Sequence, residues 1–267
     1  MFLTIFIAFI ALIGLIIIHE FGHFILAKKF GAKVEEFGIG YPPRIFGKKI
    51  GETVYSLNLL PFGAFVGIKG EQGEIEDYRS FIGKPMWQRY LIVLGGVVSF
   101  WIIAAIILSF VAGVWGLPPL LSDHQGPYPW YQTPFAGLMG TGKLTFYIVN
   151  GWILGLKDVL GIAELPEEMK FDLFGPLGIL NLLRESFMAG INYFLLLISL
   201  IAVALALANL LPIPSLDGGK IVFLTIEAIR GKPINHKLEQ RITSAFFVLL
   251  IIMMIFVTIK FDIPRIF

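Results

Sequence analysis

The sequence predicts an all-α polytopic membrane protein: four transmembrane helices, with a small membrane-associated β-sheet after the first. Three observations predict it. Mean hydropathy over the 267 residues is +0.81 and only 15% of them are charged, where soluble domains run nearer a quarter. Four stretches carry no charge: Met1–Ile18, Leu91–Ser122, Ser186–Leu216 and Ile242–Ile259, each of 18 residues or more. That length lets a helix cross a hydrocarbon core of about 30 Å. Between the first two lies a segment, 34–70, rich in β-branched and aromatic residues and punctuated by Gly and Pro.

The first helix continues past its last uncharged residue, through His19, Glu20 and His23 to Ala27, and Lys28-Lys29 mark its boundary. It lacks the basic start and the small-x-small ending of a cleaved signal peptide. In the β-rich segment, "VEEFGIG", "ETVYSLNLLP" and "GAFVGIKG" read as strands. Backbone of that kind at membrane depth must be buried in protein or line a cavity, which favours a sheet tucked beside the helices. Spans are expected at about 1–27, 88–116, 187–211 and 242–260, with an outer loop and amphipathic segment over 117–185. Within the latter, Leu117–Gly142 reads as irregular, and 143–162 as an amphipathic surface helix rather than a fifth crossing, because Lys143 opens it and Lys157-Asp158 lie near its end. The whole chain, 1–267, is expected to form a single membrane-embedded domain.

Charge placement predicts the orientation. Ten Lys and Arg fall between Lys28 and Arg89 and five between Lys220 and Arg241, whereas Leu117–Glu185 has four among seven acids. The two basic segments are therefore expected in the cytoplasm, with the middle loop and both termini outside. The basic segments abut spans and alternate with acids, so no nucleic-acid partner is expected. The absence of cysteine excludes a disulfide framework, a thiolate metal site and a thiol nucleophile.

His19-Glu20-Phe21-Gly22-His23 is an HExxH motif on a helix. Its spacing sets two imidazoles one turn apart on the same face, able to bind one Zn²⁺, with Glu20 beside the metal to take a proton from bound water. The bland alternative is a buried, hydrogen-bonded histidine pair, but ionisable groups at the end of an apolar helix are costly and usually functional. A catalytic zinc needs a third protein ligand and an open position. His124 and His236 are candidates. Asp217 is a better one, since a carboxylate after a long apolar span is unfavourable unless something such as a metal compensates it. Pro212 and Pro214 break the helix before it, and Gly218-Gly219 free the backbone after it. The competing reading of Asp217 is a helix cap opening 218–230.

HEFGH together with "NLLPIPSLDGG" (Asn209–Gly219) resembles the site-2 proteases, and most closely the bacterial branch that includes the regulator of sigma-E protease. "FGPLGI" (Phe174–Ile179) and "FLTIEAIRGKP" (Phe223–Pro233) add to the resemblance. The resemblance implies a zinc-dependent intramembrane endopeptidase, a hydrolase of regulated intramembrane proteolysis. His19, His23 and Asp217 would be the metal ligands and Glu20 the acid-base residue. Asn209 would hold the substrate backbone, and the β-segment would add a strand to it. It further implies single-span substrates such as anti-sigma factors or signal-peptide remnants; the location expected is the inner (cytoplasmic) membrane, with the active site near the cytoplasmic face as the basic segments predict. Two departures stand out: the interval between the second and third spans is too short for a PDZ domain, and Gly95-Gly96-Val97-Val98-Ser99 replaces the family's G-P-x-x-N. The reading from another class is a metal-binding membrane transporter or a catalytically silent scaffold. Against it, the apolar segments are nearly devoid of further acids, and Glu20 is intact.

Overall fold

A computed structural model of the chain describes residues 2–71, 77–162, 173–232 and 234–266. Of the outer segment expected over 117–185, residues 163–172 lie outside the described residues, whereas the helix expected over 143–162 lies within them. Helix α1 (Phe2–Lys29) leads into β1 (Val34–Ile50) and β2 (Thr53–Ile68), followed by α2 (Met86–Val114), α3 (Thr133–Val159) and α4 (Pro176–Ala189). Then come α5 (Ile191–Asn209), α6 (Asp217–Arg230) and α7 (His236–Val257), a π-helical turn over Thr258–Asp262, and α8 (Ile263–Ile266). Among the described residues four helices are long and apolar enough to cross a membrane: Leu3–Lys29, Met86–Val114, Ile191–Asn209 and His236–Ile266. Large apolar side chains are exposed along them, and no residue of α7 is buried. Such surface suits contact with lipid, which solvates it. The fourth candidate span begins at His236, well before the expected 242, because the polar turn His236–Arg241 continues the same helix.

The sheet is a single antiparallel pair, β1 with β2. Its register bends near the middle. Residues 44–50 face 58–53 in hairpin fashion, while Glu36–Ile39 meet both Gly67–Ala64 and Val54–Leu57. Three sequence segments thus become two long, folded-over strands. Thr53 Oγ1 donates to the Val34 carbonyl (2.9 Å) and Asn58 Nδ2 to the Gly40 carbonyl (3.1 Å), pinning the layers. The root of the sheet is buried; from Tyr41 to Ile50 every residue of β1 is exposed.

Contacts divide the chain into two units, 9–100 with 205–249, and 1–8 with 101–204 and 250–267. The first holds the candidate site. Its core packs Ala27, Ala32, Val34, Ile68, Phe81, Ile92, Val93 and Leu224, all buried, so α1, the sheet root, α2 and α6 share one apolar interior. The second unit places Leu108, Val111, Ala136 and Leu183 inside. There Leu117–Gly142 departs from expectation, because α3 already begins at Thr133. Pro134 sits in its first turn, where proline is tolerated. Gly137 serves close packing, since a Cβ there would meet the Ala105 carbonyl and Ser109. Glycines that look like loop punctuation are here helix contacts.

Candidate metal centre

His19 and His23 project from one face of α1, both buried, with ring centroids 4.8 Å apart. The Ile92 carbonyl of α2 lies 2.9 Å from His23 Nδ1. A carbonyl only accepts, so Nδ1 carries the proton and Nε2 keeps its lone pair. The His19 ring stacks on Phe100 at 4.8 Å between centroids. These contacts turn the two Nε2 atoms toward each other, 3.3 Å apart.

The third group arrives from far along the chain. After α5 the backbone tightens through Leu210 N–H to the Leu207 carbonyl and Ile213 N–H to the Leu211 carbonyl, and Leu216 precedes α6 in extended conformation. Gly218 and Gly219 are required by closeness: a Cβ on the first would run into the Leu210 and Leu211 carbonyls, and on the second into Ile213 and Pro214. Asp217 is the first residue of α6, and the capping position before it is Leu216, whose side chain makes no capping hydrogen bond. The Asp217 Oδ2 lies 3.5 Å from His19 Nε2 and 3.4 Å from His23 Nε2, and it is buried with no hydrogen-bond partner.

Three ligand atoms thus form a near-regular triangle with edges of 3.3–3.5 Å. Tetrahedral zinc at about 2.0–2.1 Å from each ligand sets ligand–ligand edges at about 3.3–3.4 Å. Acceptor atoms facing one another without a donor repel unless a cation sits among them. The donor set of two imidazoles and one carboxylate, all within 4.8 Å, therefore fits zinc and leaves a fourth position.

Glu20, half-buried, is not one of the three. It lines a cavity of about 140 Å³ together with His23, Asp217, Val66, Glu71 and Lys220, and the Val66 backbone hydrogen-bonds to it. Its charge reaches Tyr41, whose phenol is pushed up, first by partial burial and then by Glu20. The structure brings Asp217 to the histidines and places the other candidates elsewhere: His124 packs on Tyr128 at 4.2 Å, and His236 opens α7. Asn209 ends α5, where its Nδ2 donates to the Leu205 carbonyl (2.9 Å), leaving its amide oxygen available.

Sequence reasoning missed the glycine seam. A Cβ on Gly22 would collide with the Gly95 carbonyl, and one on Gly96 would sit among the ring atoms His23 Nε2 and His19 Cε1. Gly95 and Gly96, the second of which stands where the family motif has proline, thus let α2 approach the two histidines, while Ser99 bonds back to the Gly96 carbonyl (2.6 Å). The available signal was a Gly-Gly pair inside an apolar helix.

Comparison with known proteins agrees with this geometry. Residues 7–253 match peptidase family M50. A candidate zinc metalloprotease of Clostridium perfringens is 30% identical, covering 95% of this chain and 96% of its own. Zinc metalloprotease RasP of Bacillus licheniformis is 25% identical with 98% and 99% covered, and the regulator of sigma-W protease RasP of Bacillus subtilis 24% identical with both chains covered in full. The last alignment runs to 422 positions, well beyond the 267 residues here, so that relative carries inserted segments without counterpart in this chain.

Proposed function

Because the chain belongs to peptidase family M50 and is a multi-pass zinc metalloprotease, we propose that it cleaves membrane-spanning proteins within or at the edge of the bilayer. The observation that carries this reading is the triangle of His19, His23 and Asp217, built at the end of a membrane helix rather than on a soluble surface. These three residues would hold the zinc, which when bound polarises a scissile carbonyl and activates water. Glu20 takes the proton of that water and returns it to the leaving amine. Gly96 keeps the ligand face clear of side-chain atoms, and Ile92 fixes the His23 tautomer. Asn209 presents its amide oxygen to an extended substrate backbone, and the sheet beside α1 offers strand pairing to the same segment. The relative named as regulator of sigma-W protease supports single-span substrates of the anti-sigma-factor kind, and signal-peptide remnants are the second kind proposed from the sequence resemblance. We place the protein in the inner membrane, termini outside and metal centre toward the cytoplasm, in line with the basic segments.

The test pairs metal content with cleavage of a panel of transmembrane peptides. Wild type should carry about one zinc per chain. His23→Ala and Asp217→Ala should lose most of it, and Glu20→Gln should keep it while turnover falls at least a hundredfold, the low end for a general base. Full zinc in both ligand variants would remove the three-ligand assignment, and an active Glu20→Gln would remove the proton role.

A further inference from the structure

Two cavities of the same unit share a wall. One is the metal cavity of about 140 Å³; the other, of about 260 Å³, is polar and lined by Arg89, Glu227, His236 and Glu239 among others, and Glu71 and Lys220 line both. Lys220 stands one turn after Asp217 on α6. Its ammonium pairs with the Glu71 carboxylate and lies 4.7 Å from the centroid of Phe81, whose ring also meets the Arg89 guanidinium at 5.2 Å. The two ion pairs of this wall differ in kind. Arg89 grips Glu227 with two hydrogen bonds, 2.6 and 2.9 Å, and its side chain is 9% exposed. Such a fork is locked. Lys220 makes a single-point pair, with side chains 24% and 30% exposed. A point charge on a four-carbon stem can change partners without losing geometry.

We propose that Lys220 receives the carboxylate that peptide hydrolysis creates, exchanging Glu71 for it as the product leaves the metal cavity for the polar pocket. The proposal rests on the peptidase reading of the site. Hydrolysis breaks the C–N bond, adds the water oxygen to the carbonyl carbon and gives a proton to the amine. The N-terminal product then carries a carboxylate that is ionised at neutral pH. That anion forms at the metal site, beside Glu20 and Asp217, and a cation on the wall toward the polar pocket offers it a partner away from the metal. Among the described residues lining the metal cavity, Lys220 is the only lysine or arginine. Replacing the Glu71 carboxylate by a product carboxylate swaps one charge-assisted hydrogen bond for another, so the exchange is nearly isoenergetic and reversible.

Binding measures this without turnover. The probes are a fluorescein-labelled apolar hexapeptide ending in a free carboxylate and its C-terminal amide, titrated by anisotropy into detergent-purified protein, zinc-loaded and chelator-treated. Wild type should prefer the acid about tenfold, as one charge-assisted contact supplies, and still prefer it after zinc removal. Lys220→Met should abolish that residual preference. Glu71→Gln should raise it, because the ammonium is no longer shared. Affinity for the amide should stay within about twofold in both variants. An unchanged acid-to-amide ratio in Lys220→Met, or both variants moving the ratio the same way, overturns the proposal. Loss of all cleavage by zinc-loaded wild type would instead strike the peptidase reading beneath it, and Glu71→Gln still decides the matter should Lys220→Met fail to fold.

Discussion

At the scale of single residues, the centre depends as much on missing atoms as on present ones. Gly96 is the sharpest case, since the space of its absent methyl is taken by the histidine rings. Alanine is ordinarily favoured over glycine in a helix by about 1 kcal/mol. Gly96→Ala should nonetheless lose most of its zinc while keeping its helical circular dichroism, because the added carbon displaces the ring atoms proposed to ligate. Metal analysis of the purified variant checks this, and wild-type zinc content would mean that the helices part at little cost. The groups proposed to react were readable in advance: His19, Glu20 and His23 sit on one helix at a spacing that fixes their relation, and Asp217 stood out as a carboxylate behind a long apolar run. Ile92, Glu71 and Lys220 were not readable, and of Gly96 only the Gly-Gly pair was visible, not what it packs against. Their contacts join residues from different elements, and local periodicity carries no information about such approach.

Among the elements, the join between α4 and the chain's last turns shows how a motif without chemistry acquires a reason. Asp262, fully buried in the π-helical turn, accepts the Gly175 N–H (2.9 Å) at the start of α4. A Cβ on Gly175 or Gly178 would collide with its carboxylate, which explains both glycines of "FGPLGI". A negative charge at a helix N-terminus is also favourable. Gly178→Ala should destabilise the protein by about 1–3 kcal/mol, the usual cost of overpacking. Combined with Asp262→Ala, the cost should be less than additive, because the clash disappears with the carboxylate. Thermal unfolding of the four proteins in detergent tests this; strict additivity would show that the two sites do not touch energetically. The same elements mark where sequence reading stopped. The motif was visible as a resemblance, while its partner lay 87 residues away. The helix starting at Thr133 was hidden because Pro and Gly near a helix start imitate a loop.

For the whole molecule, orientation is the property that the fold leaves to experiment, and the cysteine-free sequence makes that experiment clean. Of the serines in the segments on either side of α2, Ser80 and Ser122 are buried, 0% and 4% exposed, and a cysteine there would report poorly. Tyr78, 79% exposed, and the exposed Gln125 are better positions. A cysteine at Tyr78 should react with an impermeant maleimide only from the cytoplasmic side, and one at Gln125 only from outside; the opposite pattern would invert the proposed topology. The triangle of acceptor atoms carries one more consequence. His19 and His23 are separated from Asp217 by most of the chain, so a cation among them acts as a cross-link between α1 and α6. Its binding energy is then folding energy: a ligand present at a thousand times its Kd adds about 4 kcal/mol to the native state. Chelation should lower the thermal midpoint and added zinc restore it, with no response in Asp217→Ala. An unshifted midpoint in the wild type would mean that α6 is fastened without the metal. If the shift appears, the ion of the reaction is at the same time a fastener between the first helix and one about two hundred residues later.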